Sequence, residues 1–337
     1  MAIQFPPVDS PEESRRLAVI QALDSEVAGR TLGRMGAIGA WVAGVQGEAL
    51  PQPFTRARAV VVAGSHGVAA RGISAWTADA THRQAKEIAA GGGPVHAAAR
   101  LSGASIRLID DFLATPTGSI DVEPAMMPEA CAAALRLGAQ IADQEIDAGT
   151  DLTVPGDLGV GNTTVAAALY GTFTRTEPVL AVGRGSGVND HVWKVKTAAV
   201  RDAMFRVRGY RDDIERVLAE ISGPDFACLV GLIAQSAARR TPVLIDGAYV
   251  TVAAYVAERL APGTKRWLIA GQLSPEPCHL ALVQALELTP VLALDMTTGQ
   301  GVGALAALPT INLAAELVAD QLAPEPEPDP QPAPDPT

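Results

Sequence analysis

Cysteine is scarce in this chain of 337 residues, and its three copies, Cys131, Cys228 and Cys278, stand far apart. They share no metal-ligand spacing with the five histidines, so neither a disulfide framework nor a metal centre is expected. Positive charge is also in deficit. With 26 Lys and Arg against 37 Asp and Glu, the formal net charge is −11. Nucleic acid and anionic membrane surfaces both require a positive contact field, so neither is expected as a partner. The N-terminal "MAIQFPPVDSPEESRRLAV" lacks the apolar core of a signal peptide. The most apolar late segment, 302–319, is interrupted by Pro309, Asn312 and Glu316. A soluble, cytoplasmic protein is the expectation, and no short-period repeat is visible.

Apolar residues are plentiful: at 48% they can fill a sizeable core, in one large domain or two smaller ones. The acidity is uneven. Residues 323–337, "APEPEPDPQPAPDPT", hold four acids and no base, which leaves −7 for the rest (−11 + 4). Proline alternating with acid forbids helix and sheet and predicts a disordered tail.

Near the start, Ser10-Pro11-Glu12-Glu13 has the form of a capping box, with Ser10 as N-cap of a helix over 11–27. Short apolar runs then alternate with alanine-rich stretches of helical period. Strands are expected at 58–63, 105–109, 151–155, 178–182, 242–246, 266–270 and 290–294. Runs apolar on both faces suit a parallel sheet covered by helices, and the alternation indicates a doubly wound α/β fold. Nearly every strand candidate runs into glycine. Such loops collect at the carboxyl edge of a parallel sheet, where these folds bind ligands.

"PGDLGVGNTTVAAALYG" (155–171) reads as a strand end, a glycine loop and a helix opening at Asn162-Thr163-Thr164. Backbone N–H groups and the positive end of a helix dipole suit a phosphate there. The G-x-x-G-x-G spacing matches neither the dinucleotide fingerprint nor the P-loop, so a tight structural turn is an equal alternative. "VGRGSGVNDHVWKVKTAAVRDA" (182–203) repeats the arrangement with Arg184, Lys194 and Lys196 close by, and Lys196 is a candidate phosphate ligand. Gly183-Arg184-Gly185-Ser186-Gly187 is not a nucleophile elbow, because the serine is displaced by one position. Asp157 and Glu276 are the candidate carboxylates. His66 and His279 lie near expected strand ends.

Together "VVVAGSHGVAARGISA", "GDLGVGNTTVAAA", "VGRGSGVNDHVWKVKTAAVRDA", "SGPDFACLVGLIAQSAARRTPVLIDG", "AGQLSPEPCHLALVQALEL" and "DMTTGQGVGALAALPTI" resemble, in the same order, the nicotinate-nucleotide:dimethylbenzimidazole phosphoribosyltransferase family over residues 10–318. The resemblance implies a Rossmann-like parallel α/β domain over 51–300 and a smaller helical domain from the chain ends, 1–50 and 301–322. It also implies a homodimer. The implied activity moves the 5-phosphoribosyl group from nicotinate mononucleotide to a benzimidazole nitrogen, giving α-ribazole phosphate for the lower ligand of cobalamin, without metal or other cofactor. By position, the phosphate site would comprise Gly159, Gly161, Asn162, Lys196 and Ser274, with Gly301 and Gly303. The acceptor base would meet Ser65, His66, Ser74, Arg83, Leu158 and Thr298.

The chemistry half departs from the family pattern. The family's glutamate, which takes the proton from the attacking base, is Gln300 here, and an amide is no general base at neutral pH. Ser65-His66-Gly67 stands for D-H-G, and Ala270-Gly271-Gln272 for A-G-H. Arg83 stands at the base-pocket glutamine, with Gln84 one register away, and Gly91–His96 replaces G-G-A-A-I-N. Two functions follow: transfer to a benzimidazole-like or altered acceptor, either already anionic or losing its proton to Asp157, Glu276 or the departing nicotinate's carboxylate, or a catalytically silent, nucleotide- or ribazole-binding paralogue acting as a regulatory or partner subunit in a heteromer.

Overall fold

The computed structural model describes residues 4–323. The proline-and-acid tail, from position 324 onward, lies outside the described residues. Within them the chain forms two compact units, one of residues 4–11 with 54–310 and one of 12–53 with 311–323.

The larger unit is built on a five-stranded parallel sheet. Its strands are β1 (Ala57–Gly64), β2 (Ser105–Phe112), β3 (Leu152–Leu158), β4 (Val243–Ile245) and β5 (Leu268–Ala270), in spatial order β2-β1-β3-β4-β5. The first strand pairs in register on both sides, Arg58 with Ser105 and Thr153, Val62 with Ile109 and Asp157. Val60, Val62, Leu152, Val154 and Leu244 are fully buried, as a sheet covered on both faces requires. Crossovers between parallel strands are right-handed, so the reversal of direction after β2 sends the connecting helices to opposite faces. It also opens a crevice between the carboxyl ends of β1 and β3, the topological switch point of a doubly wound sheet.

Two of the expected strands differ from the structure. Residues 178–182 form no strand: Pro178–Ala181 is a single helical turn. Proline presets helical φ at the first position, and Val179 and Leu180 are exposed rather than packed into a sheet. The run at 290–294 contributes only β7 (Leu292–Ala293), which pairs in parallel with β6 (Gln272–Leu273) in a separate two-stranded sheet. Gly271 breaks the main sheet there, its N–H donating to Ile245 O at 2.9 Å.

Helices Pro128–Asp147 and Pro224–Ala238 pack closely through small residues. A Cβ added at Gly138 would overlap the carbonyl of Cys228, and one at Gly231 the carbonyl of Leu135. All three cysteines are buried and unpaired.

The smaller unit gathers helices Glu13–Ser25, Val27–Thr31 and Arg34–Gln46 with the final turns of Val302–Leu322, around Val19, Leu23, Ala40, Ala43 and Val318. The N-cap position of the first helix is held by Glu12, not Ser10, and no side chain caps it. Ser10 accepts a hydrogen bond from Arg266 instead, so its hydroxyl is committed to a tertiary contact. Helix Val302–Leu322 passes unbroken through Pro309. It is long and apolar enough to cross a membrane, but 56% of its most apolar window is buried within the protein, as in a core helix.

Candidate active site

A cleft of about 820 Å³ opens at the β1/β3 switch point. One wall runs from the end of β3 through the loop to the start of helix Asn162–Thr174, Asp157 through Thr163. A second is the Thr297–Gln300 turn, and the third comes from Ile73 to Glu87, with Gly185 and Ser186 at the rim.

The β3 loop is shaped by its glycines. A Cβ at Gly159 would overlap Asn162 Oδ1, so a side chain there would displace the Asn162 amide. Gly161, at φ +109°, is the N-cap of helix Asn162–Thr174, and that backbone turn favours glycine. Asn162 Nδ2 donates to Asp157 Oδ2 at 2.8 Å. Burial pushes the Asp157 carboxyl up to about 6. The Asn162 hydrogen bond opposes that rise, while the charges of Asp246 and Asp225 add to it.

Gln300 sits against Asp157. Its backbone N–H donates to the Asp157 carbonyl at 2.8 Å, and its left-handed φ of +59° is a strained conformation for glutamine. Gly156 leaves room for this approach, since a Cβ there would stand 2.5 Å from the Gln300 carbonyl carbon. Gln300 Nε2 donates to Gln84 Oε1 at 3.1 Å, while its own Oε1 is buried without a hydrogen-bond partner. An unmet buried acceptor on a cleft wall is a place for a ligand donor. Gln84 was reachable from sequence only by a one-residue shift. It projects from helix Ala80–Ala89 beside Arg83, which pairs with Asp79.

Ser74, Arg83, Leu158 and Thr298 all line the cleft, and Ser74 Oγ lies 3.0 Å from Ser186 Oγ. Ser65 and His66 do not. Ser65 donates to Leu113 O at 3.0 Å, and His66 is buried behind the β3 loop.

Lys196 is buried behind Thr163, a lining residue, and donates to its Oγ1 at 2.8 Å and to Gly183 O at 3.4 Å. Burial lowers its pKa, and the charge of Glu276 opposes the shift. Glu276, also buried, accepts the Gly185 N–H at 2.7 Å and so anchors the Gly183–Gly185 loop rather than facing the cleft. Ser274 Oγ is 2.7 Å from His279 Nδ1, and the Ser274 N–H reaches the same nitrogen at 3.1 Å. The backbone N–H can only donate, so Nδ1 is the acceptor and the Ser274 hydroxyl donates to it. Gly301 opens helix Val302–Leu322, its carbonyl accepting from Leu305 N. The Gly303 N–H is taken by Asp246 Oδ2 at 2.7 Å, and Asp246 also accepts from Gln272. Burial raises the Asp246 carboxyl, with those hydrogen bonds opposing. Of the residues expected at phosphate, Gly159, Gly161 and Asn162 line the cleft, whereas Lys196, Ser274 and Gly303 make internal contacts behind it.

A parallel α/β sheet with a glycine-walled ligand cleft at its switch point defines a Rossmann-like enzyme that takes its ligand at the carboxyl edge. A phosphoribosyltransferase family model matches residues 8–324, and the chain belongs to the nicotinate-nucleotide:dimethylbenzimidazole phosphoribosyltransferase family. The enzyme of that name from Corynebacterium glutamicum is 48% identical over 300 residues, covering 86% of this chain and 84% of its own. That from Mycobacterium ulcerans is 43% identical over 327 residues, covering 93% and 91%. The crystal structure of CobT from Thermus thermophilus superposes with a TM-score of 0.84 at 30% identity, over 90% of this chain and 96% of that one.

Proposed function

We propose that this protein transfers the 5-phosphoribosyl group of nicotinate mononucleotide to a ring nitrogen of a benzimidazole-class base, in the synthesis of the cobalamin lower ligand. The C1′–nitrogen bond to nicotinate breaks and a C1′–nitrogen bond to the base forms. The acceptor base then sheds its second-nitrogen proton. The observation that carries this reading is the Asp157–Gln300 pairing on one cleft wall. Gln300 Oε1 supplies the unpaired acceptor that holds the base N–H. Asp157, whose carboxyl is pushed up to about 6, is the neighbouring group that takes the proton, directly or through one water. Alignment of the two substrates in the cleft supplies the rest.

The silent-paralogue reading draws no support from the relatives above, each named for the transferase. The homodimer implied by the resemblance and the cytoplasmic location expected from the sequence stand with this proposal. A solution mass equal to one chain counts against the dimer. The deciding assay incubates the protein with nicotinate mononucleotide and a panel of benzimidazoles, purines and phenols. Nicotinate release with a new ribosyl-base product is expected, and no release with any acceptor refutes the function.

A further inference from the structure

Behind the cleft, three groups that the reaction does not touch form a closed polar cluster. His66 Nε2 lies 3.3 Å from Asp225 Oδ2, and Tyr249 OH donates to the same oxygen at 2.7 Å. Tyr249 OH is 3.5 Å from His66 Nε2, with the two rings edge-on. All three side chains are buried. The surrounding backbone is cut to fit: a Cβ at Gly64 or Gly223 would overlap the Asp225 carboxyl, and one at Gly161 would press on His66 Cβ at 3.3 Å. An ion pair so enclosed forfeits hydration on both partners and gains little net stability.

Two complementary atoms remain. His66 Nδ1 and Asn162 Oδ1 are both buried with no hydrogen-bond partner. Burial opposes a charge on His66, but the Asp225 carboxylate, with smaller contributions from Asn162 and Asp157, outweighs it and raises the histidine above its usual range. Asp225 is correspondingly lowered: burial would raise it, but His66, Tyr249 and the Phe226 N–H prevail. On its other side, Asn162 donates through Nδ2 to Asp157.

We infer that His66 is a positioning residue: as an imidazolium anchored by Asp225 and Tyr249, it aims Nδ1–H at Asn162 Oδ1 and so turns the Asn162 amide with its NH2 toward Asp157. A carboxamide reads the same in outline either way round. Reversed, it would set an oxygen against the Asp157 carboxylate and disfavour the ionised form that accepts a proton. His66 thus acts through Asn162 to hold one oxygen of Asp157 and leave the other for the acceptor base. This inference rests on the transferase reading for its kinetic consequence, but not for its protonation state.

The test has two arms. In 15N-histidine-labelled protein, the His66 signal, assigned by its loss in His66→Gln, is expected to show two protonated nitrogens at pH 6.5. Asn162→Ala should shift the Nδ1 signal. A His66 with one unprotonated nitrogen at that pH, or no shift, overturns the inference even if the protein transfers nothing. In the kinetic arm, His66→Gln is expected to lower kcat by about 10- to 100-fold, leave the KM for nicotinate mononucleotide near wild type, and move the acid limb of the pH profile upward. On an Asp157→Asn background the same change should cost little more, because both act through one group. Full losses that multiply in the double variant, or an unmoved acid limb, overturn it.

Discussion

Replacing Asp157 with asparagine should separate catalysis from stability, moving them in opposite directions. The variant keeps an oxygen for Asn162 Nδ2 and the backbone carbonyl that accepts from Gln300, so the local geometry survives. What it loses is the proposed proton acceptor. Removing a general base lowers kcat/KM by ~10²- to 10⁴-fold, about 3–5 kcal/mol of transition-state stabilisation. Folding should gain. The carboxyl is raised from 3.8 to about 6 by burial, so its ionised form is disfavoured in the folded protein. At full burial the difference is about 3 kcal/mol; discounted for the side of Asp157 that faces the cleft, about 1–2 kcal/mol remains. The sign follows from the raised folded value. The Asp157 contribution to stability declines as pH climbs from about 4 through about 6, and the difference between the asparagine variant and wild type grows over that window. Activity has the converse dependence, because only the carboxylate accepts a proton, so wild-type kcat/KM falls as pH drops below about 6. Nicotinate release between pH 5 and 9 and urea unfolding at pH 4 and 7.5 measure both. Adding Gln300→Glu to the variant should restore part of the rate. A variant that keeps the wild-type rate and the acid limb near pH 6 would refute the assignment of Asp157.

Lys196→Met removes the buried hydrogen bonds to Thr163 and Gly183 and leaves the Thr163 hydroxyl and the Gly183 carbonyl without that donor. The expected cost is about 1–3 kcal/mol in urea unfolding. His279 is lowered from 6.5 to about 4 by burial, so it folds neutral and must charge in acid. The His279 contribution to stability is therefore expected to fall by about 3 kcal/mol as pH drops from 6.5 to 4, and a His279→Gln variant with the wild-type slope there would refute that origin. Gly231→Ala drives a methyl into the Leu135 carbonyl at the helix crossing and should cost about 1–3 kcal/mol or more in thermal or urea unfolding, leaving KM unchanged.

The main sheet was legible because its strands are short apolar runs with helical segments between them, and all five of its strands, β1 to β5, overlap the runs read from sequence. The misreadings share a cause. "PVLAV" at 178–182 and "PVLAL" at 290–294 look alike, and four apolar residues after proline carry no period that separates strand from helix. Partners decided the outcome: the first run has no neighbouring strand and winds into a turn, while the second finds only Gln272–Leu273. Ser10 failed as a cap for a similar reason, since a distant arginine claimed its hydroxyl.

The cleft was legible where backbone shape makes it and illegible where side chains meet across the fold. The glycines of 156–161 announce a tight loop at a strand end, but nothing local shows that Asp246 would take the Gly303 N–H or that Asp225 would pair with His66. Gln84 is the sharpest instance. Adjacent residues on a helix point about 100° apart, so Arg83 turns back one turn to Asp79 while Gln84 reaches Gln300. The amide at 300 and the amide at 84 thus form one hydrogen-bonded unit. A glutamate at 300 alone would set a second carboxylate beside Asp157, and like charges held that close raise each other's pKa. On the proposed reading, the amide at 300 relieves that repulsion and leaves Asp157, a cleft-lining carboxyl beside it, as the group that takes the proton.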